Sequence, residues 1–197
     1  LLVSNPAIAA IVSSTATPYS KSWVNGRLSR TGNVVGSATP NPAVAYLFPV
    51  VTTDSLYAPI KLAKVNATLT TWTAEYTFAA PYDRFNFFNP PIDHISSIEY
   101  WEITSNTQFT TNDDARLTLS WRGQSRVSGT ASIRDSLVVA QYIDNPPFRW
   151  NIPGGWMTGN TFGTDSLSGL VTSNAASSNY TYDERRFTLG TINHFNP

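Results

Sequence analysis

The chain has 197 residues, 13 acidic and 13 basic side chains, and no cysteine. This length suits a single domain, and the lack of cysteine excludes disulfides, thiolate metal sites and cysteine nucleophiles. The basic residues are scattered, whereas nucleic-acid binding requires them to cluster, and no apolar run approaches the ~18 residues of a membrane span. We therefore expect neither nucleic acid nor direct membrane insertion.

The N-terminal segment 1–12 is apolar but lacks the basic start and the cleavage site of a signal peptide. We expect it to be an edge strand of the fold or a strand exchanged with a neighbouring copy by strand addition.

Side chains of alternating character dominate the chain, which predicts β-strands because successive residues of a strand point to opposite faces. In 69–78, for example, Trp72, Tyr76 and Phe78 share one face, whereas the other face carries threonines and Glu75. The predicted strands, in chain order, are 8–13, 23–29, 44–50, 57–65, 69–78, 97–103, 115–121, 136–143, 167–173 and 186–191.

Turn-forming clusters of Gly, Pro, Asn and Asp separate these segments. Pro59 indicates an edge or a bulge, because proline cannot donate to the ladder. Apart from one helical turn near 81–88, we expect little helix. About ten short strands with this punctuation predict an all-β fold, an antiparallel β-sandwich or jelly roll, as one domain over 1–197.

A series of short segments occurs in a recognisable order. The segments are WVNGRL at 23–28, LFPV at 47–50, LYAPI at 56–60, TAEY at 73–76, DHISSIEYW at 93–101, ARLTLSW at 115–121, LVVAQY at 137–142, GLVTS at 169–173 and RFTLG at 186–190. This series resembles a β-rich module near the C-terminus of secreted and surface proteins of Bacteroidota, placed just before a type IX secretion sorting domain.

The chain departs from that family at Val51, where glycine is usual, and over 144–156, which is longer and richer in Pro and Trp. The resemblance implies an extracellular or cell-surface building block of larger proteins. It brings no catalytic residues.

The residues themselves also give no reaction centre. Glu99 and Glu102 fall on opposite faces of one predicted strand, so they cannot form a glycosidase pair. Glu75 could approach either of them across strands, and the simpler reading is that all three are solvent-facing carboxylates. His94 and His194 lie outside any ligand spacing, and no glycine-rich phosphate loop is present. We therefore expect no enzyme activity and no organic cofactor.

Calcium is the metal with the best basis in the sequence. Asn112, Asp113 and Asp114 place three oxygen-bearing side chains in one loop, and Ca²⁺ prefers oxygen ligands. The alternative is an ordinary turn, because Asn and Asp also bond their own backbone.

Four aromatic residues concentrate near the Pro-rich segment: Tyr142, Phe148, Trp150 and Trp156. Exposed rings there would form a platform for a glycan ligand, whereas buried rings would belong to the core.

The tripeptide Asp-Ser-Leu occurs three times and resembles the O-glycosylation acceptor motif of Bacteroidota. Its serines are Ser55, Ser136 and Ser166. Ser136 enters a predicted strand and fits an acceptor role less well.

These observations favour a non-catalytic structural or adhesive module of a larger secreted or cell-surface protein. Its expected partners are neighbouring domains or copies of the same protein. One alternative is a carbohydrate-binding accessory module with glycan partners. Another is a filament or surface-layer subunit that assembles by strand addition.

Overall fold

A computed structural model describes residues 1–11, 23–32, 45–52, 56–63, 69–106, 116–127, 135–144, 146–154, 161–162, 168–174 and 186–192. Within these ranges the chain forms sixteen strands and two 3-10 turns, at Ile8–Ala10 and Gly123–Ser125. The prediction of an all-β, sandwich-like fold is confirmed.

The strands are β1 (Leu2–Val3), β2 (Val24–Asn25), β3 (Leu28–Gly32), β4 (Tyr46–Phe48), β5 (Val50–Val51), β6 (Ile60–Ala63), β7 (Thr70–Thr77), β8 (Phe87–Phe88), β9 (His94–Ile95), β10 (Tyr100–Ser105), β11 (Arg116–Arg122), β12 (Leu137–Ile143), β13 (Arg149–Asn151), β14 (Thr161–Phe162), β15 (Ser168–Thr172) and β16 (Arg186–Thr191).

The strands are arranged in two main sheets. The larger has nine strands in the order β1-β3-β7-β10-β16-β12-β13-β8, with β9 also paired to β16, and the smaller has the order β14-β15-β11-β6-β4. A separate pair joins β2 to β5. Most neighbours are antiparallel, but the pairs β1–β3, β2–β5 and β13–β8 are parallel.

The main hydrophobic core contains residues of both sheets. The larger sheet contributes Trp72, Trp101 and Phe187, and the smaller sheet contributes Leu119 and Trp121, all of them almost completely buried. Burial of one large apolar side chain stabilises the fold by roughly 1.5–3 kcal/mol, so these five side chains hold the two layers together.

A second, smaller core lies on the other side of β12. Every second residue of this strand faces the main core, and the residues between them face the second core. Val138, Ala140 and Tyr142 of β12 pack there with Trp150 of β13 and with Ile92. β12 is therefore buried on both sides, and the segment that leads from β7 to β9 contributes to its cover.

Several predicted elements differ from the structure. The predicted strand 23–29 is two strands, because Gly26 turns the chain with a φ of 86° between them. The predicted strand 44–50 is interrupted at Pro49, which has no N–H to donate. These interruptions account for part of the excess over ten strands.

Two further local predictions, for segments 8–13 and 81–88, were also wrong. Segment 8–13 begins as a 3-10 turn rather than a strand. Segment 81–88 contains successive turns, in which Arg84 N donates to the Pro81 carbonyl and Asn86 N to the Asp83 carbonyl, and these turns lead directly into β8. None of the helices among the described residues has the length and apolar character needed to cross a membrane.

Candidate functional site

Four exposed aromatic side chains lie on the loop after β7, on β8 and immediately before β13. They are Tyr82, Phe85, Phe87 and Phe148, with 72%, 83%, 68% and 48% of their surfaces exposed. We call these four residues the aromatic surface. Large exposed apolar groups that gather in one region of a protein commonly mark an interaction site.

The pairing of β8 with β13 brings the main chain of the two parts of the aromatic surface together. These strands are parallel, and Phe87 lies opposite Arg149 in the register. Phe148 directly precedes Arg149, so its main chain lies close to that of Phe87 at this edge of the sheet. The guanidinium of Arg84 lies 4.5 Å from the ring centroid of Phe85, which places a positive charge within the aromatic surface.

Trp150 anchors the loop that carries three of these rings. Its indole is fully buried, and its Nε1 donates a hydrogen bond of 3.2 Å to the main-chain carbonyl of Asp83. The Trp150 carbonyl accepts a hydrogen bond from Asn89 N at 2.9 Å. The loop is thus bonded at both ends to one residue of β13, and the side chains of Phe85 and Phe87 are left on the outside.

Tyr142 supports the same loop from β12. Its ring centroid lies 5.3 Å from that of Trp150, and its hydroxyl accepts a hydrogen bond of 2.5 Å from Asn86 Nδ2. Burial raises the pKa of the Tyr142 hydroxyl, so this hydroxyl stays protonated at neutral pH.

Arg186 of β16 holds Tyr82 in place. Its guanidinium lies 3.8 Å from the Tyr82 ring centroid, within cation–π range, and forms an ion pair with Asp83. Burial raises the pKa of the Asp83 carboxyl to about 6, and the nearby Asp144 carboxylate acts in the same direction. The contact with Arg186 favours the ionised form, so Asp83 carries its charge at neutral pH.

The predicted glycan platform is only partly present. Trp150 and Tyr142 are buried, so their rings serve as supports and cannot stack on a ligand at the surface. Phe148 is half exposed and belongs to the aromatic surface. Trp156 lies outside the described residues. Tyr82, Phe85 and Phe87 were missed by the sequence analysis, although the aromatic density of 82–88 in a segment with little strand character could have identified them.

The predicted modification and metal residues mostly lie outside the described part of the chain. This holds for Ser55, Ser166 and the calcium candidates Asn112, Asp113 and Asp114. Ser136 is described and buried, and its hydroxyl lies 3.2 Å from the Thr191 hydroxyl, so in the folded chain it is closed to a glycosyltransferase. Among the described residues, no group of three or more His, Asp or Glu side chains could hold a metal ion.

Glu75 and Glu102 are directly opposite each other on β7 and β10. They line a shallow depression of about 100 Å³ with Arg27, Thr73 and Thr104. Arg27 Nε donates to Glu75 at 2.8 Å, and Arg186 lies 3.9 Å from Glu102. Each carboxylate of the pair thus has an arginine neighbour on the outer side of the larger sheet.

Glu99 is fully buried on the core side of the strand pair β7–β10, so the expectation of a solvent-facing carboxylate was wrong. Its Oε2 accepts a hydrogen bond of 2.8 Å from the Tyr76 hydroxyl and one of 3.4 Å from Arg122 Nη2. Burial raises the pKa of Glu99, while Ser125, Arg122 and Tyr76 act in the opposite direction. As predicted, Glu99 and Glu102 lie on opposite faces. Glu99 is buried on the core side, whereas Glu102 is only partly buried on the outer side.

No family model matches the chain, and searches of curated proteins and of solved structures found no similar protein.

Proposed function

We propose that the chain is a non-catalytic adhesive module of a larger secreted or cell-surface protein, and that it makes contact through the aromatic surface. The observation that carries this proposal is the combination of exposed rings with a buried anchor. Tyr82, Phe85 and Phe87 are mostly exposed, while Trp150 fixes the loop that presents them.

Such an arrangement has a physical cost in the isolated chain. Apolar area left in water forgoes roughly 25 cal/mol per Å² of stabilisation. A partner that covers the rings would recover this free energy. Because the loop is already anchored, little conformational entropy would be lost on binding. Aromatic and arginine side chains are also the residues enriched at the centres of protein interfaces, and Arg84 and Arg149 adjoin the rings.

The polar groups near the rings support a carbohydrate ligand as the second candidate. A sugar offers an apolar face to an aromatic ring and hydroxyl groups to neighbouring donors. Phe87 is exposed beside Arg149, which lies opposite it in the register, and Phe85 lies beneath the Arg84 guanidinium. Both pairs combine a flat ring with a hydrogen-bond donor.

Adhesion is tested with beads that carry the chain. Retention under flow is measured on slides coated with the same chain, with cellulose, with chitin or with albumin as the blank. The test variant is Phe85→Ser/Phe87→Ser, which removes two rings from the aromatic surface. The matched control is Leu69→Ser, because Leu69 is also apolar and 54% exposed but precedes β7, whereas the loop with Tyr82 and Phe85 follows β7.

We expect retention above the albumin blank, a loss of that retention in the double variant, and no loss in Leu69→Ser. Retention on the chain-coated slide would indicate protein–protein adhesion, and retention on a polysaccharide would indicate the carbohydrate-binding alternative. Retention no higher than the blank on every coated slide, or equal loss in both variants, would contradict the proposal.

An extracellular location belongs to the same proposal. It is supported by the resemblance to modules of exported Bacteroidota proteins. Antibody labelling of intact cells of the source organism tests it. We expect labelling without permeabilisation, and labelling only after permeabilisation would contradict an extracellular role.

A further inference from the structure

The N-terminal segment 1–11 lies along the edge of the larger sheet. Its strand β1 pairs in parallel with β3, with Leu2 opposite Ser29 and Val3 opposite Arg30. Val3 of this strand is partly buried against the main core, and so are Ile8 and Ile11 beyond it. The segment therefore occupies a groove formed by β3 and the residues beneath it.

Arg30 is the central feature of this groove. It is almost completely buried, and its Nη1 donates to the Leu47 carbonyl at 2.8 Å. Its Nη2 donates to the carbonyls of Ala7 and Ile8, each at 3.2 Å. These acceptors are all main-chain groups, so the guanidinium joins the N-terminal segment to β4 through the backbone.

Tyr46 of β4 completes the groove. Its hydroxyl donates to the Pro6 carbonyl at 2.7 Å, and its ring centroid lies 5.0 Å from the Arg30 guanidinium. Pro6, Ala7 and Ile8 are thus held at three successive carbonyls. Two buried donors that bind three successive main-chain carbonyls in this way form a binding site for a peptide segment.

We propose that this groove also accepts segment 1–11 of a second copy, so that chains associate by exchanging their N-terminal segments. An exchanged segment would form the same strand pairing and the same three carbonyl contacts as the segment does within its own chain. The two states then differ mainly in the entropy of association, and high protein concentration shifts the balance toward exchange.

A disulfide trap in the 197-residue chain tests the exchange. Leu2 and Ser29 are register partners, and neighbouring strands lie about 4.8 Å apart, within the range that a disulfide can span. The chain has no cysteine, so in the variant Leu2→Cys/Ser29→Cys the two introduced thiols have only each other. Samples are unfolded, refolded at increasing protein concentration, oxidised and run on non-reducing gels.

Exchange predicts covalent dimers or longer ladders whose fraction rises with the refolding concentration. Leu2→Cys alone is the control, because it can form only unspecific dimers. If the paired variant yields monomer at every concentration, with no more dimer than this control, the exchange proposal is wrong.

Adding Arg30→Met to the cysteine pair tests the role of the carbonyl contacts. We expect a several-fold lower fraction of disulfide-bonded chain, monomer and dimer together, after brief oxidation, because Arg30 holds the segment in both states. Arg27→Met should leave this fraction unchanged, because Arg27 is exposed and bonds Glu75 instead. An equal disulfide-bonded fraction in the two arginine variants would refute the assigned role of Arg30. If Arg30→Met does not fold, the cysteine pair in the otherwise native chain still decides the matter.

Discussion

Replacement of Trp150 by alanine separates the support of the aromatic surface from the surface itself. The indole is fully buried in the second core, and removal of a buried tryptophan typically costs about 3–5 kcal/mol. The change also leaves the Asp83 carbonyl without its indole donor, which places Trp150→Ala toward the upper end of that range. Domains of this kind have a free energy of unfolding of roughly 5–15 kcal/mol, so the loss is a large fraction of the stability.

The matched control is Phe148→Ala, two residues away and half exposed. A surface substitution of this kind changes stability by about 0.5 kcal/mol or less. Urea unfolding followed by far-ultraviolet circular dichroism measures both variants, and limited trypsin digestion detects release of the loop at Arg84. We expect Trp150→Ala to be strongly destabilised and cleaved faster at Arg84, and Phe148→Ala to match the native chain.

Equal stability of the two variants, or unchanged cleavage at Arg84 in Trp150→Ala, would refute the assignment of Trp150 as the anchor of the loop.

Two further predictions concern the main core. A Cβ added at Gly169 would lie 2.0 Å from Trp121 Cζ2, so Gly169→Ala should lower the unfolding free energy by about 1–3 kcal/mol through overpacking. The control is Gly123→Ala, because nothing lies within 4 Å of a Cβ added there. Equal effects of the two substitutions on the unfolding free energy would contradict the close packing at Gly169. Burial raises the pKa of Glu99 above its ordinary value of 4.5, so its stabilising contribution is complete below about pH 4.5 and is lost as pH rises through the raised pKa. The native chain should therefore lose unfolding free energy relative to Glu99→Gln as pH rises above 4.5, and parallel pH curves would disprove this.

The alternating patterns predicted the inner face of the sandwich well. Trp72 and Tyr76 share the buried side of β7, and the predicted strand 186–191 coincides with β16. Period-two patterns succeed here because the two faces of these strands meet different environments, one apolar and one polar.

The same reasoning failed where cover comes from distant parts of the chain. The sequence left open whether Trp150 is a surface platform or a core residue, and it is buried by a loop that includes Asp83, 67 positions earlier. Glu99 looked like a solvent-facing carboxylate, but Tyr76 and Arg122 enclose it from other strands. Sequence patterns report which residues share a face and not which face a remote segment covers, so they did not separate the buried Trp150 from the half-exposed Phe148.

Hydroxyl-radical footprinting of the adhering chain tests the assignment of the contact surface most directly. The oxidation rates of Tyr82, Phe85, Phe87 and Phe148 are compared between the free chain and the chain bound to the slide coating that retains it, with Leu69 as the internal reference. We predict strong protection of the four aromatic residues on binding and no change at Leu69. Unchanged oxidation of these rings in the bound chain would contradict the assignment of the aromatic surface as the site of contact.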